Sequence, residues 1–197
     1  MSTDKISVWE SSWSGGDTSW HLQETNDRLL ANMNELTGCA EHGDNVKKSI
    51  FVPLCGKTKD MIYLHGLGHT VAGCEWVESA CIQFFTENSI AYTRTPLENV
   101  EGFLYQSEDG RLRVYQCDFL LLTSDVVDIK FDAVWDVQAL VSINPRDRKQ
   151  YVRAVRSLLK DEFRYLLVTI EYEPFAHLGR PHSISYNAVK ELFGKHH

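Results

Sequence analysis

Glu75 is the residue whose type and position point most clearly to chemistry. It ends the apolar run HTVAGCE at 69–75, about 20 residues after the tight loop that follows the preceding apolar run. In an open parallel sheet, a carboxylate with this spacing accepts hydrogen bonds from the hydroxyls of a ribose. The alternative is a solvated carboxylate at the end of a strand. Position alone therefore favours a nucleoside-binding role for Glu75.

The loop before it reads PLCGK at 53–57 and contains Leu54 and Gly56. It matches neither GxGxxG nor GxxxxGK[ST], so a loop that cradles phosphates is not supported. Gly56 still lets the chain turn tightly into a helix. A cofactor without phosphates needs only such a close turn, so the loop favours an adenosine-type cofactor over a dinucleotide. A plain turn at the start of a helix is the alternative.

Further acidic residues follow two later apolar runs. Asp118 and Phe119 come after the third predicted strand, where an acid can bind the amino group of adenine and a ring can stack on the base. An acidic cap and a core Phe are equally compatible with this pair. Asp136 ends the fourth predicted strand, where a turn carboxylate is the alternative. Asp136 and His21 are the candidates for a general base, but the sequence assigns no catalytic residue.

Three tryptophans stand in the polar stretch WESSWSGGDTSWH at 9–21. Trp9 and Trp13 are one helical turn apart, and the glycines at 15–16 break that helix before Trp20. Such aromatic side chains can form a lid that excludes water and covers a cationic ligand. The sulfonium of S-adenosylmethionine is a cation of this kind. A packed N-terminal helix is the alternative.

The elements that must position these residues alternate between short apolar strands and amphipathic helices. This alternation predicts an α/β fold with a mostly parallel sheet and helices on both faces. The predicted strands are 49–54, 69–75, 112–119, 131–136 and 164–171, with a hairpin strand at 102–106. The predicted helices are 29–36, 58–67, 78–88, 146–159 and 185–193.

Length and charge narrow the class of protein. The 197 residues fit one domain, with an aromatic lid segment and helix at 1–40 and an α/β core at 47–197. The net charge of −7 comes with scattered Lys and Arg, which disfavours nucleic acid as a partner. No apolar run is long enough to span a bilayer, and the N-terminus lacks the apolar core of a signal peptide. We expect a small-molecule substrate and a monomer.

The cysteines and histidines do not predict a metal site. Five cysteines, at 39, 55, 74, 81 and 117, include no CxxC pair. They are typical of reduced thiols in a cytoplasmic protein. His65 and His69 are four residues apart but have no carboxylate partner in the sequence pattern. The closing pair at 196–197 is given no function.

The run FVPLCGKTKDM at 51–61 resembles the first-strand motif of thiopurine S-methyltransferases. The resemblance continues through HTVAGCE at 69–75, IQFFTEN at 82–88, FDAVWDVQALVSINPRDRKQY at 131–151, LLVTIEYEP at 166–174 and ELFGK at 191–195. The segment with the three tryptophans and His21 also fits. The resemblance thus covers nearly the whole chain, and the PLCGK and ALVSINPRDR motifs are specific.

This resemblance implies a Rossmann-like class I methyltransferase fold and S-adenosylmethionine as the methyl donor. It implies methyl transfer to the sulfur of small aromatic or heterocyclic thiols in the cytoplasm. The implied cofactor pocket comprises Trp9, Trp13, Trp20, Leu54, Gly56, Glu75, Asp118 and Phe119. The implied substrate positions are Trp20 and Val137.

The sequence departs from the family pattern in two places. Val137 stands where the family has Arg, and Gln138 stands where Gly is usual. A cation there favours a thiolate over a thiol. Since position 137 lacks this cation, another small nucleophile is an alternative acceptor: a halide, thiocyanate or a simple thiol. The family also continues beyond ELFGK with its final strands. We expect those strands to be missing, so the strand at 164–171 would be an uncovered apolar edge. The second alternative is therefore a catalytically impaired homologue.

Overall fold

The computed structural model describes residues 3–16, 18–38, 46–173, 176–177 and 179–194. Within these residues seven strands form one mixed sheet: β1 (Ser49–Val52), β2 (Thr70–Glu75), β3 (Tyr92–Pro96), β4 (Phe103–Ser107), β5 (Leu112–Gln116), β6 (Phe131–Val137) and β7 (Leu159–Val168). Their order across the sheet is β3-β4-β5-β2-β1-β6-β7.

The direction of the strands decides where a ligand site can form. β1 lies between β2 and β6 and is parallel to both, and the outer pairs β2–β5 and β6–β7 are parallel as well. Only β3–β4 and β4–β5 are antiparallel among the described strands. The chain runs outward from β1 in one direction through β2 and then in the other through β6. The crevice at this reversal, beyond the carboxyl ends of the strands, is where such sheets bind ligands.

Helices cover both faces of the sheet in the described part of the chain. They are α1 (Thr3–Gly15), α2 (Asp27–Ala31), α3 (Met33–Thr37), α4 (Lys59–Gly66), α5 (Glu78–Glu87), α6 (Ala139–Ser142), α7 (Arg148–Ser157) and α8 (Tyr186–Phe193). One buried cluster joins the sheet to α7 and α8, and a second joins its other face to α3, α4 and α5. This two-sided burial explains the nearly continuous apolar runs of the central strands.

The α/β prediction is confirmed, with corrections at several boundaries. The third predicted strand ends at Gln116 and not at Phe119, because Asp118 caps a short 3-10 turn over 119–121. The helix expected at 29–36 is two short helices separated at Asn32. The helix expected to reach 159 ends at Ser157.

The last strand is also displaced from its predicted position. β7 begins at Leu159 rather than at 164, and its register against β6 shifts between Phe131 and Ala133. The shift accommodates residues 160–163, of which 160–162 are polar, as a bulge. Lys160 there forms an ion pair of 2.7 Å with Asp132. Bulges and charges of this kind protect an edge strand from pairing with another chain.

Several predictions about individual residues can be placed on the structure. Cys39 and the histidines at 196–197 lie outside the described residues, whereas the other four cysteines are buried and free. The Nε2 of His65 lies within hydrogen-bonding distance, 2.8 Å, of Oδ2 of Asp109. No helix in the described part of the chain is long and apolar enough to cross a lipid bilayer.

Candidate active site

The loop between β1 and α4 has an unusual backbone. Leu54 has φ +46° and Gly56 has φ +51°, so both lie in the left-handed region. For a bulky residue such as Leu54 this conformation costs energy, and strain of this kind concentrates at ligand-binding sites. The amide of Cys55 donates to the carbonyl of Cys74 at 2.9 Å, which fixes the loop against the end of β2. Thr58 then caps α4 by accepting from the amide of Asp60.

Glu75 lies at the end of β2, beside this loop. Its Oε2 accepts from the amide of Gly56 at 3.0 Å, and its Oε1 accepts from the amide of Val77 at 2.8 Å. The two oxygens together have four lone pairs, so the carboxylate keeps acceptor capacity for a ligand hydroxyl. Burial raises the pKa of Glu75, and these two amides, together with that of Trp76, oppose the increase. The arrangement suits recognition of a pair of vicinal hydroxyls.

The three tryptophans form one cluster above the loop. Trp13 is buried and packs on Val77 and Ala80 at the start of α5. The ring of Trp20 meets Trp9 edge-on at a centroid distance of 5.3 Å and meets Trp13 at 6.1 Å. The helix expected around Trp9 and Trp13 is α1, which ends at the predicted glycine break. We call Trp9, Trp13 and Trp20 the aromatic lid.

His21 lies at the rim of the aromatic lid. Its ring centroid is 6.3 Å from that of Trp13. Burial lowers the pKa of His21, and the nearby ammonium of Lys57 lowers it further. Lys57 also lies 5.9 Å from the centroid of the Trp13 ring. His21 is therefore neutral at pH 7 and able to accept a proton.

Asp118 and Phe119 follow β5 at the same edge of the sheet as Glu75. The Oδ1 of Asp118 accepts from the amide of Leu120 at 3.0 Å, so this side chain caps the 3-10 turn. The ring of Phe119 is only 2 % exposed and packs 5.0 Å from the ring of Tyr151. The structure thus places the Phe119 ring in the core, against Tyr151.

Asp136 lies at the end of β6 and is 0 % exposed. Its Oδ2 accepts from the hydroxyls of Tyr151 and Tyr165, each at 2.7 Å, and its Oδ1 accepts from the amide of Leu140 at 3.1 Å. Burial raises the pKa of Asp136, and the two tyrosine hydroxyls oppose the increase. A carboxylate held in this way joins β6 to β7 and α7.

Val137 and Gln138 follow Asp136 and lead into α6. Val137 is half-buried and pairs with Val168 of β7. Gln138 has φ +63° and exposes its side chain. Glycine adopts a left-handed backbone without strain. This explains why glycine is usual at this position in the family that the sequence resembles. The geometry of the turn is therefore retained although the residue has changed.

Sequence reasoning missed Asp60, which connects the N-terminal segment to the sheet. Its Oδ1 accepts from the amide of Asn26, and its Oδ2 accepts from the indole Nε1 of Trp135, each at 2.7 Å. Asn26 in turn caps α2. An acid in the first turn of a helix is an ordinary observation, so no local signal could have identified partners 34 and 75 residues away.

The structure therefore separates the predicted residues into two groups. Glu75, Gly56 and Trp13 lie together at the carboxyl ends of β1 and β2, with Leu54 in the same loop. Trp9 and Trp20 complete the lid above them. The Asp118 side chain, the Phe119 ring and the Asp136 carboxylate are instead engaged in capping or in the core. The donor and acceptor set at the crevice fits a nucleoside with a hydrophobic or cationic extension rather than a pyrophosphate.

Comparison with known proteins decides the family. The sequence profile of the thiopurine S-methyltransferases matches residues 4–197. The chain belongs to the thiopurine S-methyltransferase family. A probable thiopurine S-methyltransferase of Danio rerio is 37% identical over 190 residues, which are 96% of this chain and 79% of that protein. The thiopurine S-methyltransferase of Equus caballus is 36% identical over 189 residues, with 95% and 75% covered.

Solved structures confirm the fold of this thiopurine S-methyltransferase family member. A 1,6-didemethyltoxoflavin-N1-methyltransferase of Burkholderia thailandensis, with S-adenosylhomocysteine bound, aligns with a TM-score of 0.61 at 16% identity. That alignment covers 94% of this chain and 72% of the other. A protein from a study of thioacetal formation in echinomycin biosynthesis aligns with a TM-score of 0.68 at 13% identity, with 95% and 76% covered. The predicted Rossmann-like class I fold is thus confirmed.

Family and fold together establish the coarse activity. The chain is an S-adenosylmethionine-dependent methyltransferase. The cofactor expected from the sequence is therefore confirmed, whereas the acceptor is a separate question.

Proposed function

We propose that this methyltransferase transfers the methyl group of S-adenosylmethionine to the sulfur of small aromatic or heterocyclic thiols in the cytoplasm. The observation that carries the proposal is the arrangement of Glu75, Gly56 and Trp13 at one edge of the sheet. The relatives named thiopurine S-methyltransferase support sulfur of a heterocycle as the acceptor atom.

The residues of the crevice would divide the work as follows. Glu75 binds the ribose hydroxyls with its remaining lone pairs, while the left-handed turn at Leu54 and Gly56 brings the backbone close to the nucleoside. The aromatic lid excludes water, and Trp20 and Val137 face the acceptor. Asp118 and Phe119 then line the adenine end through their backbone and the short turn that they begin. When bound, the cofactor supplies an electrophilic methyl carbon on a good leaving group.

Little protein chemistry is needed beyond this alignment. Holding the acceptor sulfur in line with the methyl carbon contributes roughly 7–11 kcal/mol to lowering a barrier of this type. An acidic aromatic thiol loses its proton to solvent before it binds. A less acidic thiol needs a base, and His21 is neutral at pH 7 and lies beside Trp13. Asp136 is assigned to positioning because its oxygens are occupied by Tyr151 and Tyr165.

A second candidate acceptor class follows from Val137. An apolar residue at the end of β6 places no cation there for a thiolate, so a halide, thiocyanate or a simple thiol is the alternative nucleophile. The impaired-homologue alternative predicts instead that no acceptor is methylated.

The test is a methyl-transfer assay with the purified protein and a panel of aromatic thiols, heterocyclic thiols, alkyl thiols, thiocyanate and iodide. Mass spectrometry identifies the methylated product. Preferred conversion of the aromatic and heterocyclic thiols to thioethers is expected. Preferred methylation of the inorganic anions would support the alternative acceptor class, and failure with every acceptor despite cofactor binding would contradict both. Size-exclusion chromatography tests the expected monomer.

A further inference from the structure

Arg180 lies between Trp9 of the aromatic lid and the end of α6. Its Cζ lies 5.1 Å from the centroid of the Trp9 ring, and its Nε donates to the carbonyl of Ser142 in α6 at 2.9 Å. Trp9 in turn meets Trp20 edge-on. The guanidinium thus lies between the aromatic lid and α6, the helix that begins directly after Val137 and Gln138.

The segment that carries Arg180 is fixed to the rest of the structure by two further contacts. The amide of His182 donates to the carbonyl of Val141 at 2.7 Å. Arg148 of α7 donates through Nη2 to the carbonyls of His182 and Ser183 at 3.4 and 3.3 Å. These contacts join residues 180–183 to α6 and α7, so the position of the guanidinium is set by the fold.

No carboxylate in the described part of the chain forms an ion pair with Arg180 or Arg148. Arg180 forms no ion pair within the described ranges, and only one of its five N–H donors has a protein acceptor there. Arg148 is 7 % exposed, is bonded to neutral carbonyls, and its buried Nε has no partner. His182 lies close enough for both arginines to lower its pKa, although burial is the larger cause. A cluster of basic groups on a protein of net charge −7 is suited to bind an anion.

We propose that Arg180 is a specificity-determining residue that binds a carboxylate on the acceptor and thereby selects anionic aromatic thiols. The planar fork of a guanidinium binds a carboxylate through two parallel hydrogen bonds, and its outer nitrogens are the donors left without acceptors. Stacking on Trp9 holds the fork in one plane. Arg148 positions the segment by holding the carbonyls of His182 and Ser183.

This assignment rests on the proposed function and accounts for one of the departures noted in the sequence. Position 137 is a valine, whereas the family has an arginine there. Arg180 supplies a cation from a different element, bonded to the end of the helix that follows position 137. The positive charge of Arg180 would then bind a carboxylate substituent of the acceptor, in addition to any effect on the acceptor sulfur.

The test compares para-mercaptobenzoate with para-mercaptobenzamide, which carry the same sulfur on the same ring and differ in charge. Turnover of both acceptors and their calorimetric binding to the S-adenosylhomocysteine complex are measured for the unsubstituted protein, Arg180→Gln and Arg180→Lys. Arg146→Gln is the matched control because this side chain is 72% exposed. Thermal unfolding verifies that each variant is folded.

The unsubstituted protein is expected to prefer the benzoate, and Arg180→Gln is expected to lower that preference about tenfold or more. Arg180→Lys should retain part of the preference, and Arg146→Gln should retain all of it. Equal losses with both acceptors, or no loss with either, would overturn the assignment. A loss of S-adenosylhomocysteine affinity with an unchanged acceptor preference would place the guanidinium at the cofactor carboxylate and also overturn it. If the unsubstituted protein binds neither S-adenosylhomocysteine nor either thiol, the proposed function itself fails.

Discussion

The indole of Trp13 lies directly on Gly56: a Cβ atom at position 56 would be 3.0 Å from Cζ2 of Trp13. The N-terminal helix α1 and the loop after β1 therefore share one packed contact, although they are more than 40 residues apart in the sequence. Because Glu75 accepts from the amide of the same glycine, the lid and the carboxylate that we propose to bind the ribose both depend on this loop.

Gly56→Ala is expected to lower the free energy of unfolding by about 1–2 kcal/mol and to weaken cofactor binding. The added methyl group meets Trp13, and φ +51° is strained for alanine. Urea denaturation and calorimetric titration with S-adenosylhomocysteine measure the two effects. Gly66→Ala is the control, because nothing lies within 4 Å of its added Cβ. Equal behaviour of the two variants would contradict the contact between lid and loop.

Asp136→Asn is expected to act on stability and not on proton transfer. The amide cannot accept from Leu140, Tyr151 and Tyr165 as the carboxylate does, so the free energy of unfolding should fall by about 1–3 kcal/mol. Asp161→Asn, at an exposed position of β7, should leave stability unchanged. The pH profile of turnover by the folded fraction should keep its shape. A lost ionisation in that profile would instead identify Asp136 as a base.

His21→Gln is expected to affect acceptors according to the acidity of their thiol. The pKa of His21 is lowered below 6.5, mainly by burial, so its basic form predominates at pH 7. With an alkyl thiol, kcat/KM should rise with pH through that lowered pKa and then level, and the variant should lose about tenfold or more of the rate. With an acidic aromatic thiol, the variant should match the unsubstituted protein. The same loss with both thiols would assign His21 to the lid rather than to proton transfer.

Gln138→Gly is expected to stabilise the protein. Gln138 has φ +63° at the start of α6, and relief of that strain is worth about 1 kcal/mol. The same substitution at Gln150, in the first turn of α7, should have the opposite sign, because glycine is unfavourable in a helix and the side-chain hydrogen bond to the carbonyl of Leu120 is lost. Denaturant unfolding of both variants measures the difference. A loss of stability in Gln138→Gly would show that the glutamine side chain makes compensating contacts.

The parts of the fold that local patterns specify were predictable from the sequence. The buried strands β1, β2 and β6 are visible in the sequence as apolar runs. The hairpin of β4 and β5 is indicated by the Asp-Gly turn at 109–110. β3 was missed because YTRTP is polar, is exposed, and ends in proline, as suits a strand at the edge of a sheet. The start of β7 was predicted too late because the polar residues 160–162 look like a loop, whereas residues 160–163 form a bulge.

The site was predictable to the extent that topology determines it. The spacing that predicts Glu75 depends only on the lengths of β1, α4 and β2, and the observed loop places the carboxylate beside Gly56 as expected. The contacts of Asp60 with Trp135 and of Asp136 with Tyr165 join distant parts of the chain, so no local pattern reveals them. The position of Arg180 depends in the same way on how residues 180–183 pack on α6.

Glu75 provides the most direct test of the account, since its carboxylate is assigned to the ribose. Burial raises its pKa above 4.5, and a protonated carboxyl loses acceptor capacity. Affinity for S-adenosylhomocysteine should therefore be constant near neutral pH and fall as the pH is lowered toward that raised pKa. Glu75→Gln should be weaker at pH 7 by about tenfold or more and should lack this dependence. Glu162→Gln, at an exposed acid of β7, is the control.

The decisive measurement is the calorimetric titration of S-adenosylhomocysteine into the unsubstituted protein and Glu75→Gln between pH 5 and pH 8, a window set by the ordinary range of carboxyl and imidazole pKa values. The account predicts binding in the micromolar range that weakens in acid for the unsubstituted protein alone. Folded protein that binds no S-adenosylhomocysteine, or equal binding by the two proteins at every pH, would contradict the assignment of this crevice to the cofactor.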